Sequence, residues 1–156
     1  MKIDKDVEKA VREALAGAVA GEDERFNAAV TSIARSGDAF ASKALDLAFR
    51  IDSAALFSIH DAQRPADTQL QSLAQEFAAE EEEDWAHIDA PTALTYLSAL
   101  ADARSPLEVL ALEQVMFAAF AIGGWLLSAF IPENSDVHWN NLLDVILTRL
   151  ESDPTP

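Results

Sequence analysis

Between Glu113 and Glu133 the chain carries no charged side chain, and residues 115–131 are almost wholly apolar. A segment of this composition reads as a helix that is buried in a protein core or crosses a membrane. The 17 residues from 115 to 131 would span about 26 Å, short of a hydrocarbon core of about 30 Å. The flanking residues are glutamates, not the Lys or Arg that anchor a spanning helix on its cytoplasmic side. The expectation is therefore a buried helix in a soluble domain, with the rest of the chain packed around it.

The remaining sequence also favours helix. Thirty alanines stand against five glycines, and no stretch sustains a strand-like alternation. A first helix over about 4–20 puts Val7, Val11, Ala14, Leu15 and Ala18 on one stripe and ends at Gly21. A second, about 23–35, turns Phe26, Ala29, Val30 and Ile33 inward, with Gly37 as a left-handed cap. Asp38 then N-caps a third over about 39–62. That helix has two apolar stripes: Phe40, Ala44, Leu47, Ile51 and Ala54 on one, and Leu45, Phe49, Leu56 and Ile59 on the other. Two stripes imply neighbours on both sides. Arg64-Pro65 stops it.

A fourth helix, about 66–88, buries Leu70, Leu73 and Phe77, with Trp85 and Ile88 further along. A fifth, about 92–103, aligns Leu94, Leu97 and Leu100. Ser105-Pro106-Leu107-Glu108 combines an N-cap serine, a proline at the first helical position and a glutamate at the third. This capping box opens a sixth helix expected to run to residue 131, roughly 40 Å. A seventh, about 135–151, presents Trp139, Leu142, Leu143, Ile146, Leu147 and Leu150, leaving 152–156 as a frayed tail. The fold class is thus all-α. Residues 1–156 form a single-domain bundle of six to seven helices around a central apolar helix at about 106–131, with Phe117, Phe120, Ile122, Trp125 and Leu126 in the core.

Charge is divided unevenly over this frame. Residues 1–50 hold eight of the 11 Lys and Arg and nine of the 27 Asp and Glu. Residues 51–156 hold only Arg64, Arg104 and Arg149 against eighteen acids. Between Arg64 and Arg104 there is no base, and Glu80-Glu81-Glu82-Glu83-Asp84 lies in that gap. Such a surface repels phosphates, which argues against nucleic-acid binding, and attracts cations. Within a helix the acidic run repels itself by a few tenths of a kcal/mol per pair. Lys or Arg from the N-terminal helices, a cation or a basic partner would offset that cost. Trp85 follows the run, and aromatics beside charge serve as interface anchors. The expected partner-binding residues are Glu80, Glu81, Glu82, Glu83, Asp84 and Trp85. The expected function is an acidic helical interaction module that binds a cationic protein, as an immunity protein, inhibitor or adaptor would.

Cysteine is absent, which removes disulfides, thiolate catalysis and zinc–sulfur sites. The charged start has no apolar signal region, and a cytoplasmic location is expected. An Ala- and Asp-rich, Lys-poor composition suggests a bacterial or phage genome. A homo-oligomer is compatible with the sequence.

Three patterns bear on metal chemistry. Asp84-x-x-His87 resembles half of the Glu-x-x-His pattern of di-iron bundles, but it occurs once and with Asp for Glu. His60-Asp61 resembles the paired ligands of the His-Asp metal phosphohydrolases, yet no histidine precedes it, and a histidine also suits a helix C-terminus. Glu80-x-x-Glu83 resembles the first half of the metal site in the all-helical nucleotide pyrophosphohydrolases. Its second half is matched only by Glu133-Asn134-Ser135-Asp136, in an inter-helix turn. The two carboxylate patterns each lack half their ligands and no nucleophile–base pair is visible, so no enzyme and no cofactor are expected. The alternative is a small-molecule- or metal-binding bundle, extending to a carboxylate-metal hydrolase. It would use Glu80, Glu83, Asp84 and His87, or a cavity near Gly123-Gly124 floored by Phe120 and Trp125. Two glycines inside a helix cost about 1 kcal/mol each, which a close helix crossing would explain. Asp52 sits between the two apolar stripes of the third helix and needs a partner if it is buried.

Overall fold

The breaks in the sequence become helix caps. The computed structural model describes residues 2–80, 88–131, 136 and 138–152. Helix α1 (Lys5–Ala20) opens at Asp4, whose carboxylate accepts from the N–H groups of Asp6 and Val7. It closes at Gly21, which takes the left-handed conformation at φ 67° and donates to the carbonyls of Ala18 and Gly17. Helices α2 (Asp23–Arg35), α3 (Asp38–Ser58) and α4 (Asp67–Glu80) follow. Helix α5 (Ala90–Ala101) starts at Asp89, whose side chain accepts from the Thr92 N–H at 2.9 Å. A 3-10 turn (Pro106–Glu108), α6 (Leu112–Ser128) and α7 (Trp139–Ser152) complete the chain. No strand occurs among the described residues, and the fold is an all-α bundle.

Twelve of the 17 residues of α6 are buried, and the helix packs against α1, α2, α3, α5 and α7. Phe120, Ile122 and Leu126 are fully enclosed, and Trp125 is 8% exposed. Phe117 is half-buried instead of core, with its ring 6.2 Å from that of Phe26. Among the described residues no helix is long and apolar enough to cross a membrane. Both stripes of α3 are used: Leu47 and Ile51 on one and Leu45 and Leu56 on the other are all buried.

Four boundaries differ from expectation. The sixth helix does not begin at Pro106. Ser105 does cap, accepting from the Leu107 N–H at 3.3 Å, but the turn it opens lasts three residues. That turn docks Pro106 and Leu110 onto the core while Leu107 and Val109 stay exposed. Helix α6 is opened instead by Gln114, whose Oε1 accepts from the Ala111 N–H at 3.1 Å. It is thus about 26 Å long, not 40 Å. Gly37 is not a left-handed C-cap. It adopts φ 103° and ψ 156° and stands as the N-cap of α3, so Asp38 is the first helical residue. Helix α3 stops at Ser58 because Asp61 and Ala62 take positive φ of 54° and 63°. Helix α5 ends at Ala101, ahead of a positive φ of 56° at Ala103. The expected continuation of α4 through 81–87 and the tail 153–156 lie outside the described residues.

Candidate functional site

Of the sequence-derived site residues, Glu80 lies within the described chain. Glu81, Glu82, Glu83, Asp84, Trp85 and His87 lie outside it, as do Glu133, Asn134 and Ser135. Glu80 is placed by α4 with its side chain turned to α6, where its Oε2 accepts the indole N–H of Trp125. Trp125 is itself held edge-on by Phe77 and Phe130, with ring centroids 5.6 Å and 5.3 Å away. Aromatic pairs in this geometry add to the area they bury, so the indole is a fixed post for the carboxylate.

Glycines bring the other walls of this site together. A Cβ on Gly124 would lie 2.8 Å from that of Ala18, so α1 and α6 touch at a distance only glycine permits. At the preceding residue of α1, a Cβ on Gly17 would lie 2.9 Å from the backbone nitrogen of Phe26, which draws α2 in as well. The C-terminal ends of α1 and α6 therefore converge beside Glu80. They enclose a cavity of about 280 Å³ lined by Val19 and Gly21 of α1, Glu80, and Trp125, Ser128 and Ala129 of α6. Neither helix has a base in its last turn. The ion pairs among the described residues use Arg12, Arg25, Arg50, Arg64 and Arg104, and none reaches Glu80.

The cavity expected near Gly123-Gly124 is the one just described, which lies beside Gly124 and is walled by Trp125 and Ala121 but not by Phe120. Both glycine positions are filled by helix crossings, and Phe120 is fully buried, so it floors nothing. Gly123 instead faces Asp52, which is completely buried. Oδ2 of Asp52 accepts the Tyr96 hydroxyl at 2.5 Å, and Oδ1 has no hydrogen-bond partner among the described residues. Burial pushes the Asp52 carboxyl well above the usual carboxylate range, only partly opposed by the Tyr96 hydrogen bond. Burial, and then the neighbouring Asp52, raises the Tyr96 phenol in turn. The Tyr96–Asp52 hydrogen bond joins α3 to α5 through the core.

His60 and Asp61 do not form a ligand pair. His60 Nδ1 lies 2.9 Å from the Leu56 carbonyl and closes the end of α3, while Asp61 is exposed on a left-handed backbone. Among the described residues no three His, Asp or Glu side chains gather as a metal-ligand set.

A larger opening was not legible in the sequence. A groove of about 900 Å³ runs between α3 and the segment from α5 to α6, with Leu45, Phe49, Leu100, Leu107 and Leu112 along it. The signal that could have exposed it is the apolar triplet Leu107, Val109 and Leu112, which is 45%, 38% and 60% exposed. A helix from 106 would have been expected to absorb it. No protein-family model matches the chain, no curated protein is similar to it, and no solved structure is similar to it.

Proposed function

We propose that the protein is a cytoplasmic interaction module, without catalytic activity, that binds a cationic protein through the acidic surface beginning at Glu80. One observation carries this reading. Glu80 is oriented by Trp125, has no ion pair among the described residues, stands on a helix with no base, and leads directly into four more acids in the sequence. Among the described residues no base reaches Glu80. Arg64 is held by Asp67 and Asp102, and Arg104 by Glu108. Exposed Asp61, Glu76, Glu113 and Glu151 also have no ion pair among the described residues. A cationic partner relieves this repulsion and is steered toward it from a distance.

The test is capture of partners from the native host by the full chain, at about 0.05 M and about 0.15 M salt. A parallel capture uses the charge-reversed variant Glu81→Lys, Glu82→Lys, Glu83→Lys. The expected outcome is a basic protein retained at low salt, weakened at higher salt and lost in the variant. The same proteins recovered by the variant with the same salt response would sink the reading.

A second reading, a small-molecule-binding bundle, is favoured by the groove at Phe49, whose volume falls in the ligand-site range of about 300–1,000 Å³. Its mark would be a ligand-induced rise in Tm that Phe49→Ala removes. A carboxylate-metal site would instead show stoichiometric metal in the purified protein, and a Tm raised by Mg²⁺, Mn²⁺ or Fe²⁺.

A further inference from the structure

We infer that the cavity where α1 and α6 end is a receptor for a single cationic side-chain end, the ammonium of a lysine or the guanidinium of an arginine. The inference rests on the interaction-module reading above and names how the partner is anchored.

Four observations converge on a cation. First, the Glu80 carboxylate forms one wall with Oε2 engaged by the Trp125 indole, which fixes its direction, and Oε1 has no hydrogen-bond partner among the described residues. Second, two helix C-termini open into the same space. Each helix end carries roughly half a negative charge on carbonyls that lack intrahelical donors. At α1, Gly21 and Glu22 satisfy the Gly17 and Ala18 carbonyls, and those of Val19 and Ala20 lie beyond these bonds. At α6 the Ala129 N–H takes the Trp125 carbonyl, and among the described residues the Ser128 carbonyl is met by a long contact from Ile131 at 3.4 Å. Third, no base in either final turn offsets this charge, and Arg25 near the start of α2 is held by Glu13 at 2.7 Å and Glu22 at 3.5 Å. Fourth, the indole of Trp125 lines the cavity, and an indole is the side chain whose ring face attracts organic cations best.

Size and donor set narrow the class. About 280 Å³ lies just below the range of drug-sized ligand sites and suits one side-chain end. An anion would face a carboxylate and two negative helix ends. A divalent ion such as Ca²⁺ takes about six to eight oxygens, and Glu80 is the one carboxylate among the described residues that line the cavity. An organic cation needs fewer oxygens and gains from the indole.

The experiment follows the Trp125 indole N–H in the full ¹⁵N-labelled chain, assigned by its loss in Trp125→Phe. The probes are n-butylammonium chloride and the peptide acetyl-Gly-Lys-Gly-amide, with n-butanol and NaCl as controls. The expected result is a saturable shift with both cations and none with either control. Glu80→Gln keeps an acceptor for the indole but removes the charge, and should weaken both cations about tenfold or more. Ala129→Lys changes an exposed residue and tethers an ammonium at the mouth. It should raise Tm by about 2 °C and abolish the probe shift. No saturable shift, an equal shift with n-butanol, or indifference to Glu80→Gln would overturn the inference. A response to n-butylammonium without one to the peptide also overturns it, leaving a site for free amines. Partner capture that is lost on charge reversal at Glu81, Glu82 and Glu83 but is indifferent to Glu80→Gln and Ala129→Lys would remove the cavity inference alone. Peptide binding at Trp125 without any charge-dependent capture would remove the proposed function alone.

Discussion

Gly123 and Asp52 occupy complementary space: a Cβ on Gly123 would lie 2.3 Å from Oδ1 of Asp52. The carboxylate oxygen that has no hydrogen-bond partner among the described residues is thus the one pressed against the glycine. The crossing of α3 and α6 is built on this contact.

Gly123→Ala should destabilise the protein by about 1–3 kcal/mol, the usual cost of overpacking a core, measured by urea unfolding. In an Asp52→Ala background the clash is gone, and the remaining close neighbour is the flexible end of Leu15 at 3.1 Å. There the same substitution should be neutral or gain up to about 1 kcal/mol from helix propensity. A coupling below about 0.5 kcal/mol would show that the two residues are independent.

The buried carboxyl also fixes a pH dependence. Its folded-state pKa is raised by burial, while the unfolded chain releases the proton above about pH 4. Its contribution to stability is therefore full below about pH 4 and is lost as pH rises toward the folded pKa, by up to about 1.4 kcal/mol per pH unit. Asp52→Asn removes this slope and leaves the other titrating groups in place. The stability of the variant minus that of the wild type should climb as pH rises from about 4 toward the folded pKa. A flat difference would mean that Asp52 is ionised in the folded protein. Above about pH 10, the raised Tyr96 phenol adds a second loss in the same direction.

Two phenylalanines on α6 should separate clearly. Phe120 is fully buried, and Phe120→Ala should cost about 3–5 kcal/mol. Phe117 is half-buried beside Phe26, and its truncation should cost distinctly less in the same unfolding assay. Equal costs would contradict the observed placement of α6.

Helices were legible where local chemistry decides them. Asp4, Gly21 and the inward set Phe26, Ala29, Val30 and Ile33 act through neighbours within one or two turns, and they stand where periodicity placed them. The opening of α6 misled because two caps compete. Ser105 carries the stronger local signal, yet Gln114 reaching back to Ala111 starts the long helix. Nothing in the local sequence says which helix start the core will use. Asp52 was visible as a residue needing a partner, but Tyr96 lies 44 positions away and no short pattern links them. The Trp125–Glu80 bond spans 45 positions and was hidden for the same reason. The acidic run showed where charge accumulates. That Glu80 would stand at a cavity formed by two helix ends depends on the Gly124–Ala18 crossing, which only the folded chain reveals.

A helix that is apolar on every side has no intrinsic orientation inside a bundle. It could turn about its axis, or slide by a residue, and still bury comparable area. Within α6 only Gly123 and Gly124 lack a Cβ. Any other rotation would drive a methyl group or something larger into Oδ1 of Asp52 or into Ala18. The glycine pair thus acts as a keyway: it selects one register for the central helix from several that hydrophobicity alone would leave nearly equal in energy.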